Sequence, residues 1–296
     1  MANRREFLAA ALAPMLRAVP LASFKLGVTT DEIDEDLLTA LRFLREFGLE
    51  YAEIRSVWGK YAEVQPVEKV RQARALMDEH RIKTGMLSTS FFKIPLPVEG
   101  SPVLDQQWKV LDDAFERAEI LGTKKIRTFA FTYKAGETPD KKAYPRIYEL
   151  VRESARRAKA RGFRLAVENV GQSYVWTGAE SARLLDAVKD DALGVNWDPN
   201  NAAAAGERPF PDGYKLLDPA RIFHVHLRDY RHTKEGKVEW CAVGDGEFDN
   251  LGQIRALLKD GYKGEWTLET HWRSPLGKAH ATRTSLTALL KVVDRA

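Results

Sequence analysis

The sequence predicts an α/β protein made of one (β/α)8 barrel, the TIM-barrel architecture. Eight short apolar segments alternate with eight longer segments whose apolar residues recur at helical spacing. Strands that alternate with helices favour a parallel sheet, and eight strand–helix units are the number that closes such a sheet into a barrel. No linker or low-complexity tract interrupts the pattern, so we expect residues 24–296 to form a single domain.

The first four units have clear helix signals. Leu37, Leu41 and Leu44 lie at helical spacing after an acidic start, and Gly122 follows the third helix as a C-terminal cap. The predicted strands and helices of this half are, in order, Phe24–Thr30, Asp31–Gly48, Tyr51–Val57, Val67–His80, Ile82–Ser88, Leu104–Leu121, Lys125–Phe131 and Tyr144–Ala160.

The last four units repeat the pattern with one weak helix, because the segment after the sixth strand is short and flanked by proline. The predicted elements are Arg164–Asn169, Ala179–Lys189, Leu193–Asp198, Asp212–Leu217, Ile222–Leu227, Leu251–Leu258, Trp266–Thr270 and Ala281–Val293. We expect the longest loops at Phe91–Val103, Thr132–Lys142, Pro199–Pro211 and Asp229–Asp249.

The N-terminal residues 1–23 are predicted to lie outside the barrel. Arg4 and Arg5 are followed by Phe7, Leu8 and an alanine-rich stretch, a pattern that resembles a bacterial twin-arginine export signal. This pattern predicts a periplasmic or secreted protein. The alternative is a short amphipathic helix packed on the barrel of a cytoplasmic protein.

Composition narrows the classes of partner. The formal net charge is +4 and both signs are mixed along the chain, which argues against a nucleic-acid partner. No apolar run approaches the roughly 20 residues that a membrane span needs. The single Cys241 cannot form an intrachain disulfide. We therefore expect a small-molecule ligand, and a homo-oligomer remains possible.

Four consecutive strands end in side chains that bind metals: Glu168, Asp198, His226 and Glu269. Taken singly, each has an ordinary structural explanation, such as a helix-capping carboxylate or a hydrogen-bonded core histidine. In a barrel, however, all strand C-termini open on one face, so the four side chains can converge. Three carboxylates and an imidazole predict one divalent cation, with Mn²⁺, Mg²⁺ or Co²⁺ favoured and Zn²⁺ possible.

The strand ends also resemble a known family, the xylose-isomerase-like sugar phosphate isomerase/epimerase superfamily. The resemblance covers most of the chain from Phe24 onward. It rests on Glu168-Asn169, Trp197-Asp198-Pro199-Asn200-Asn201, His224-Val225-His226-Leu227-Arg228-Asp229, Val243-Gly244-Asp245-Gly246-Glu247-Phe248-Asp249 and Leu268-Glu269-Thr270. It implies that Glu168, Asp198, His226 and Glu269 bind the metal. It further implies that Glu168 and Glu269 are catalytic and move a proton on opposite faces of a sugar.

Substrate contacts are predicted for His224, Arg228, Asn201 and Glu53. His224 is equally well explained as a residue that orients a metal ligand, and a structural ion pair explains Glu53 and its neighbour Arg55 as well. Many members of the superfamily carry histidine where this chain has Asn201. Further candidates near the strand ends, some of which must be core, are Lys93, Arg127, Trp58, Phe91, Phe92, Trp176, Trp197 and Trp272.

The sequence thus predicts a metal-dependent isomerase or epimerase that abstracts a proton next to a carbonyl of a sugar or sugar-like polyol. The alternative is a lyase or dehydratase that uses the same site on keto-sugars, keto-inositols or 3-keto-glycosides. A DNA-repair endonuclease of the same fold would need additional histidines on strands two and three, where this chain offers Glu53, Arg55, Ser88 and Thr89. A binding protein without catalysis is disfavoured because both glutamates are intact.

Overall fold

The computed structural model of the protein describes residues 24–134 and 136–296. The predicted export signal at residues 1–23 lies outside the described residues. In the described part of the chain, no helix is both long enough and apolar enough to cross a membrane.

Eight parallel strands close into a barrel in which each strand pairs with its neighbours in the chain and β1 pairs with β8. The strands are β1 Leu26–Thr29, β2 Tyr51–Ile54, β3 Lys83–Ser88, β4 Lys125–Thr128, β5 Arg164–Glu168, β6 Leu193–Trp197, β7 Ile222–Leu227 and β8 Glu265–Leu268. The predicted (β/α)8 barrel is confirmed.

One helix follows each strand. The helices are α1 Leu37–Glu46, α2 Val67–Glu79, α3 Pro102–Leu121, α4 Tyr144–Ala160, α5 Gly178–Val188, α6 Pro199–Ala204, α7 Asn250–Lys259 and α8 Lys278–Val293. Local chemistry sets their ends. The side chain of Asp36 accepts the backbone N–H of Thr39 at the start of α1, and Gly122 caps α3 with a left-handed φ of 74°.

Most of the hydrophobic core lies between the barrel and the helices. Along each strand, alternate residues point outward, as Leu165 and Val167 do, and join this core. The residues between them point into the barrel, where a small separate apolar cluster holds Met86, Ala166 and Phe223. The other side chains inside the barrel are polar, and they extend to the carboxyl ends of the strands.

The segment after β6 differs from the prediction. The helix was expected at Asp212–Leu217, but α6 lies at Pro199–Ala204, and the chain then makes a π turn at Pro209–Gly213 and a 3-10 turn at Tyr214–Leu216. The side chain of Asp198 accepts the backbone N–H groups of Asn200 and Asn201. Asp198 therefore caps a helix that begins at Pro199, within the segment that was predicted as a loop.

Two small antiparallel hairpins stand on the loops. One pairs Ser56–Val57 with Lys60–Tyr61 after β2, and the other pairs Asp229–His232 with Val238–Cys241 after β7. The second hairpin lies inside the predicted loop Asp229–Asp249. Further 3-10 turns lie at Thr30–Glu32, Ala62–Val64, Lys141–Ala143 and Pro219–Arg221.

Candidate metal centre and active site

The barrel mouth brings together Glu168, Asp198, His226 and Glu269, which we call the mouth cluster. One ligand atom from each lies within 4.8 Å of the others. Glu168 ends β5, Asp198 and Glu269 directly follow β6 and β8, and His226 lies in β7. All four are buried, with exposed fractions of 0–3%. The convergence expected from the barrel topology is present.

The two nitrogens of His226 face different groups. Nδ1 lies 3.1 Å from Glu269 Oε2 and 3.7 Å from both Glu168 Oε1 and Asp198 Oδ2. Nε2 lies 3.0 Å from Glu53 Oε2. Burial alone would lower the pKa of His226, but the charges of Glu53 and Glu269 outweigh it and raise the pKa well above its usual value.

Asp198 is held by backbone and side-chain donors. Besides capping α6, its Oδ2 accepts a hydrogen bond from Arg228 Nη2 at 2.6 Å and one from Asn201 Nδ2 at 3.2 Å. Burial favours the neutral acid, but the charge of Arg228 and the contact with His226 outweigh it and lower the pKa of Asp198. The group is therefore a carboxylate near neutral pH.

Each glutamate of the cluster faces an arginine of its own. Arg55 Nη1 donates to Glu269 Oε1 at 2.6 Å, and Arg127 Nη1 lies 2.9 Å from Glu168 Oε2. Burial by itself would raise the pKa of Glu269, but the charges of His271, His226 and Arg55 hold it well below the usual range.

The donor set fits a divalent cation. Three carboxylates and the Nδ1 atom of His226 face one point, and oxygen-rich sets of this kind suit Mn²⁺, Mg²⁺ or Co²⁺ while allowing Zn²⁺. In addition, Glu168 Oε2 is buried, and its ion pair with Arg127 Nη1 at 2.9 Å is not aligned as a hydrogen bond. Buried acceptors are normally satisfied, so spare acceptor capacity in this cluster is consistent with a bound cation.

Below the mouth cluster lies a second polar group, the interior network of Glu53, His224, Thr267, Lys125 and Glu265. His224 Nε2 lies 3.0 Å from Glu53 Oε2 and 2.8 Å from Thr267 Oγ1. Lys125 forms an ion pair with Glu265, and its Nζ lies 3.5 Å from His224 Nδ1. Burial, only partly offset by the hydrogen bond to Glu53, lowers the pKa of His224 to about 4.

Glu53 and His224, predicted as substrate contacts, are fully buried in this network. Glu53 contacts both histidines, and its other oxygen accepts a hydrogen bond from Ser88 Oγ at 2.5 Å. Their position differs from the expected one at the open face. Glu53, rather than His224, contacts the nitrogen of His226 that faces away from the cluster, where a group that orients a metal ligand would lie. Arg55, considered as the ion-pair partner of Glu53, pairs instead with Asp31, Glu32 and Glu269.

Asn201 and Arg228 do lie at the cluster. The amide of Asn201 is already engaged, since Nδ2 donates to Asn169 O at 2.9 Å and Oδ1 accepts from Arg228 Nη2 at 2.7 Å. Arg228 keeps two buried donors, Nε and Nη1, without a hydrogen-bond partner among the described residues. Its guanidinium lies 4.2 Å from the ring centroid of Trp240. Arg228 thus has free capacity for a substrate oxygen.

The other candidates divide between core and rim. Phe91, Phe92 and Trp197 are fully buried and belong to the core, whereas Trp272 lines a cavity at the mouth. Trp58 lies under the ammonium of Lys69, at 5.1 Å, and Trp176 is partly buried. Lys93 and Arg127 both approach the ring of Phe129, at 4.8 and 5.0 Å.

Sequence reasoning missed His271, which lies two residues beyond Glu269. Its Nε2 lies 3.8 Å from Glu269 Oε2, and its Nδ1 lies 3.1 Å from Glu32 Oε1. Its backbone is in the left-handed region, with φ of 50°. The available signal was a histidine directly after the motif Leu268-Glu269-Thr270. Glu32 was missed because only the fold brings the end of β1 next to the end of β8.

The comparison with family models matches residues 41–292 to the xylose isomerase-like TIM barrel family. The chain belongs to this family. The match covers most of the chain and includes every residue of the mouth cluster. No curated protein gives a significant match over the sequence.

Solved structures share the fold at low sequence identity. The IolI protein, solved with a bound zinc atom, gives a TM-score of 0.75 at 20% identity over 92% of this chain and 98% of that chain. D-psicose 3-epimerase of Clostridium cellulolyticum H10, solved with D-tagatose, gives 0.69 at 17% over 92% and 94%. The probable 3-DHS dehydratase AsbF of Bacillus anthracis, involved in petrobactin synthesis, gives 0.70 at 18% over 90% and 98%.

Proposed function

We propose that the chain is a divalent-metal-dependent isomerase or epimerase that moves a proton next to a carbonyl of a sugar or sugar-like polyol. One observation carries the proposal: two buried glutamates, Glu168 and Glu269, flank the same Asp198–His226 pair from strands at opposite ends of the arc β5 to β8. This arrangement offers a proton acceptor on each side of one binding point. The family membership and the epimerase among the similar structures support it.

The mouth cluster would hold the cation through Glu168, Asp198, His226 and Glu269. When bound there, the cation polarises a carbonyl and stabilises negative charge on its oxygen. Glu53 keeps His226 oriented with Nδ1 toward the carboxylates. The similar structure with bound zinc is consistent with this site.

The two glutamates would transfer the proton. In an epimerisation, one carboxylate removes the proton from the carbon beside the carbonyl, and the other, already protonated, delivers a proton to the opposite face. Arg55 and Arg127 fix the two side chains, at 2.6 and 2.9 Å. Arg228 binds a substrate oxygen through its two unpartnered donors, while Asn201 holds Arg228 and Asp198 in place.

A lyase or dehydratase reaction is the second candidate, and His271 favours it. Its imidazole is partly exposed, and its Nε2 lies 3.8 Å from Glu269 Oε2. It is thus placed to protonate a leaving group after Glu269 has removed the proton beside the carbonyl. The dehydratase among the similar structures supports this alternative. Elimination and epimerisation share their first step and differ in whether water or an alcohol leaves.

We further propose, from Arg4, Arg5 and the apolar residues after them, that the protein is exported through the twin-arginine route to the periplasm or beyond. Fractionation of cells that produce the full chain, compared with the Arg4→Lys/Arg5→Lys variant, tests this. The variant is expected to remain in the cytoplasm. Wild-type protein found only in the cytoplasm would contradict the proposal.

One experiment tests the reaction class. The purified chain is analysed for bound metal and then incubated in deuterated water with a panel of keto-sugars, including D-tagatose, keto-inositols and 3-keto-glucosides. Metal-dependent deuterium incorporation next to the carbonyl is expected for both candidate reactions. Release of water or of the aglycone identifies the lyase, and a change of configuration or carbonyl position identifies the isomerase or epimerase. No incorporation with any substrate would reject both.

A further inference from the structure

A cavity of about 570 Å³ opens at the barrel mouth beside the mouth cluster. Three separate segments line it: the turn after β1, the hairpin after β7 and the loop after β8. The lining residues are Glu32, Trp240, His271, Trp272, Arg273, Ser274, Gly277 and Lys278. None of the four predicted metal ligands belongs to this set, so the cavity lies beside the cluster rather than at it.

Side-chain contacts connect the cavity lining with the mouth cluster on two sides. On one side, His271 Nε2 lies 3.8 Å from Glu269 Oε2. On the other side, Trp240 packs on the guanidinium of Arg228, which donates to Asp198 Oδ2 at 2.6 Å. His271, Trp240 and Arg228 therefore connect the cavity with the cluster, and a ligand that reaches both would contact them.

Two indole rings form part of the lining. Trp240 and Trp272 are both partly exposed, and indole faces stack on flat apolar surfaces such as the C–H faces of a pyranose or an aromatic ring. Two of the charged side chains already have partners, since Glu32 accepts from Arg55 at 2.8 Å and Lys278 donates to Glu35 Oε1 at 2.5 Å. Arg273 also lines the cavity and adds a donor for the oxygens of a bound ring.

The size also exceeds the need of a small substituent. Pockets of roughly 300–1,000 Å³ hold drug-sized ligands, and this cavity of about 570 Å³ falls within that range. A free monosaccharide bound at the cluster would leave it filled only with water. A substrate with two rings would use both spaces.

We propose that this cavity is a second-ring subsite, which receives the aglycone or the neighbouring sugar of a keto-glycoside whose ketone-bearing sugar lies at the mouth cluster. The inference rests on the proposed function and narrows it to glycosidic substrates. Trp272 and Trp240 stack on the second ring, and Ser274 and His271 lie at its edge as hydrogen-bonding groups. These four residues set specificity without taking part in the proton transfer of the isomerase reaction.

The test compares methyl and phenyl glycosides of glucose and galactose, both anomers of each, by titration calorimetry on the full chain loaded with Mn²⁺. These glycosides lack the ketone, so they report binding without turnover. The phenyl glycosides are expected to bind at least tenfold more tightly than the methyl glycosides. Trp272→Ala is expected to remove that difference and to leave the affinity for methyl glycosides unchanged. Trp58→Ala, a partly buried tryptophan on another loop, is the matched control and should keep the difference.

A second variant keeps the test valid if Trp272→Ala does not fold. Ser274→Tyr places a larger side chain in the cavity, so it should weaken the binding of the phenyl glycosides only. Equal affinity for the methyl and phenyl series in the wild type, or a preference that survives both variants, overturns the subsite, as does the absence of binding by every glycoside. Deuterium incorporation into free keto-sugars reports separately on the proposed function. Exchange without a phenyl preference rejects the subsite alone, and no exchange with any substrate rejects the proposed function.

Discussion

The mouth cluster and the interior network are both buried and polar, but they differ in how completely their groups are paired. In the interior network, Glu53 faces two histidines and Ser88, and Lys125 faces Glu265. In the mouth cluster, three carboxylates surround one imidazole. Buried polar groups that are fully paired stabilise one conformation, whereas incompletely paired groups mark places where a ligand completes the set.

Three arginines also pair with the carboxylates of the mouth cluster. Arg55, Arg127 and Arg228 each pair with one carboxylate of the mouth cluster at 2.6 to 2.9 Å, and Arg127 Nη1 also lies 3.9 Å from Glu269 Oε1. They reduce the repulsion among the carboxylates, and His226 alone faces all three from within. This difference predicts that substitutions in the mouth cluster mainly change the reaction rate or the metal affinity. Substitutions in the interior network should mainly change the free energy of unfolding.

The largest effect is expected from Glu168→Gln and Glu269→Gln. Each removes a proton acceptor while keeping the shape of the side chain. The rate of deuterium incorporation into the best keto-sugar should fall about 10³-fold, with the thermal unfolding midpoint reporting that the fold is kept. Glu63→Gln changes a buried glutamate outside both groups and should leave the rate unchanged. A near-normal rate in either test variant would remove that residue from the proposed proton transfer.

Glu53→Gln tests whether the two groups are coupled through His226. Loss of the charge behind the imidazole should weaken Mn²⁺ binding about 10- to 100-fold, the usual cost of removing a group that orients a metal-binding histidine. Competition with a fluorescent chelator measures this affinity. Glu63→Gln is again the matched control. An unchanged affinity would show that the interior network has no influence on the mouth.

Glu32 lies at the mouth but is paired as completely as the interior groups. Burial alone would raise its pKa, but the hydrogen bond with His271 and the charge of Arg55 lower it to about 2. Because the unfolded value is 4.5, this carboxylate stabilises the protein fully above pH 4.5 and progressively less as the pH falls toward 2.

Between pH 5 and pH 3, Glu32 should account for about 2 kcal/mol of the lost unfolding free energy. Guanidinium unfolding of wild type and Glu32→Gln at both pH values measures the difference. The variant is expected to lose that much less stability on acidification. If the wild type and the variant lost the same unfolding free energy between pH 5 and pH 3, Glu32 would not be paired as described.

Thr267→Val should produce the smallest effect. It removes the hydroxyl 2.8 Å from His224 Nε2 and keeps the side-chain shape. The free energy of unfolding should fall by about 1 kcal/mol, the usual net value of one hydrogen bond, while Mn²⁺ affinity stays unchanged. A loss of metal affinity without a loss of stability would reverse the roles assigned to the two groups.

The barrel and the mouth cluster were predictable because their signals are local. Each strand end is a short apolar run followed by a polar residue, and the barrel topology alone brings Glu168, Asp198, His226 and Glu269 to one face. The shift of α6 was not predictable at this level. It depends on Asp198 acting as a helix cap as well as a cluster member.

The pairing inside the barrel was not predictable because it depends on strand register. Glu53 was predicted to contact substrate from the second strand, yet register places it level with Thr29 and Met86, and its Oε2 lies 3.0 Å from His226 Nε2 inside the barrel. The contacts of Arg55 and Glu32 with the end of β8 join residues more than 200 positions apart. No local pattern encodes such contacts.

The left-handed backbone of His271 sets a limit on stabilising this protein. A non-glycine residue in that conformation costs about 1–2 kcal/mol, but a glycine there would also remove the hydrogen-bond partner of Glu32, a loss of about 1–3 kcal/mol. The same change would delete the imidazole between Glu32 and Glu269. The relief of backbone strain and the loss of the ion pair are of similar size, so this position offers no simple route to a more stable protein.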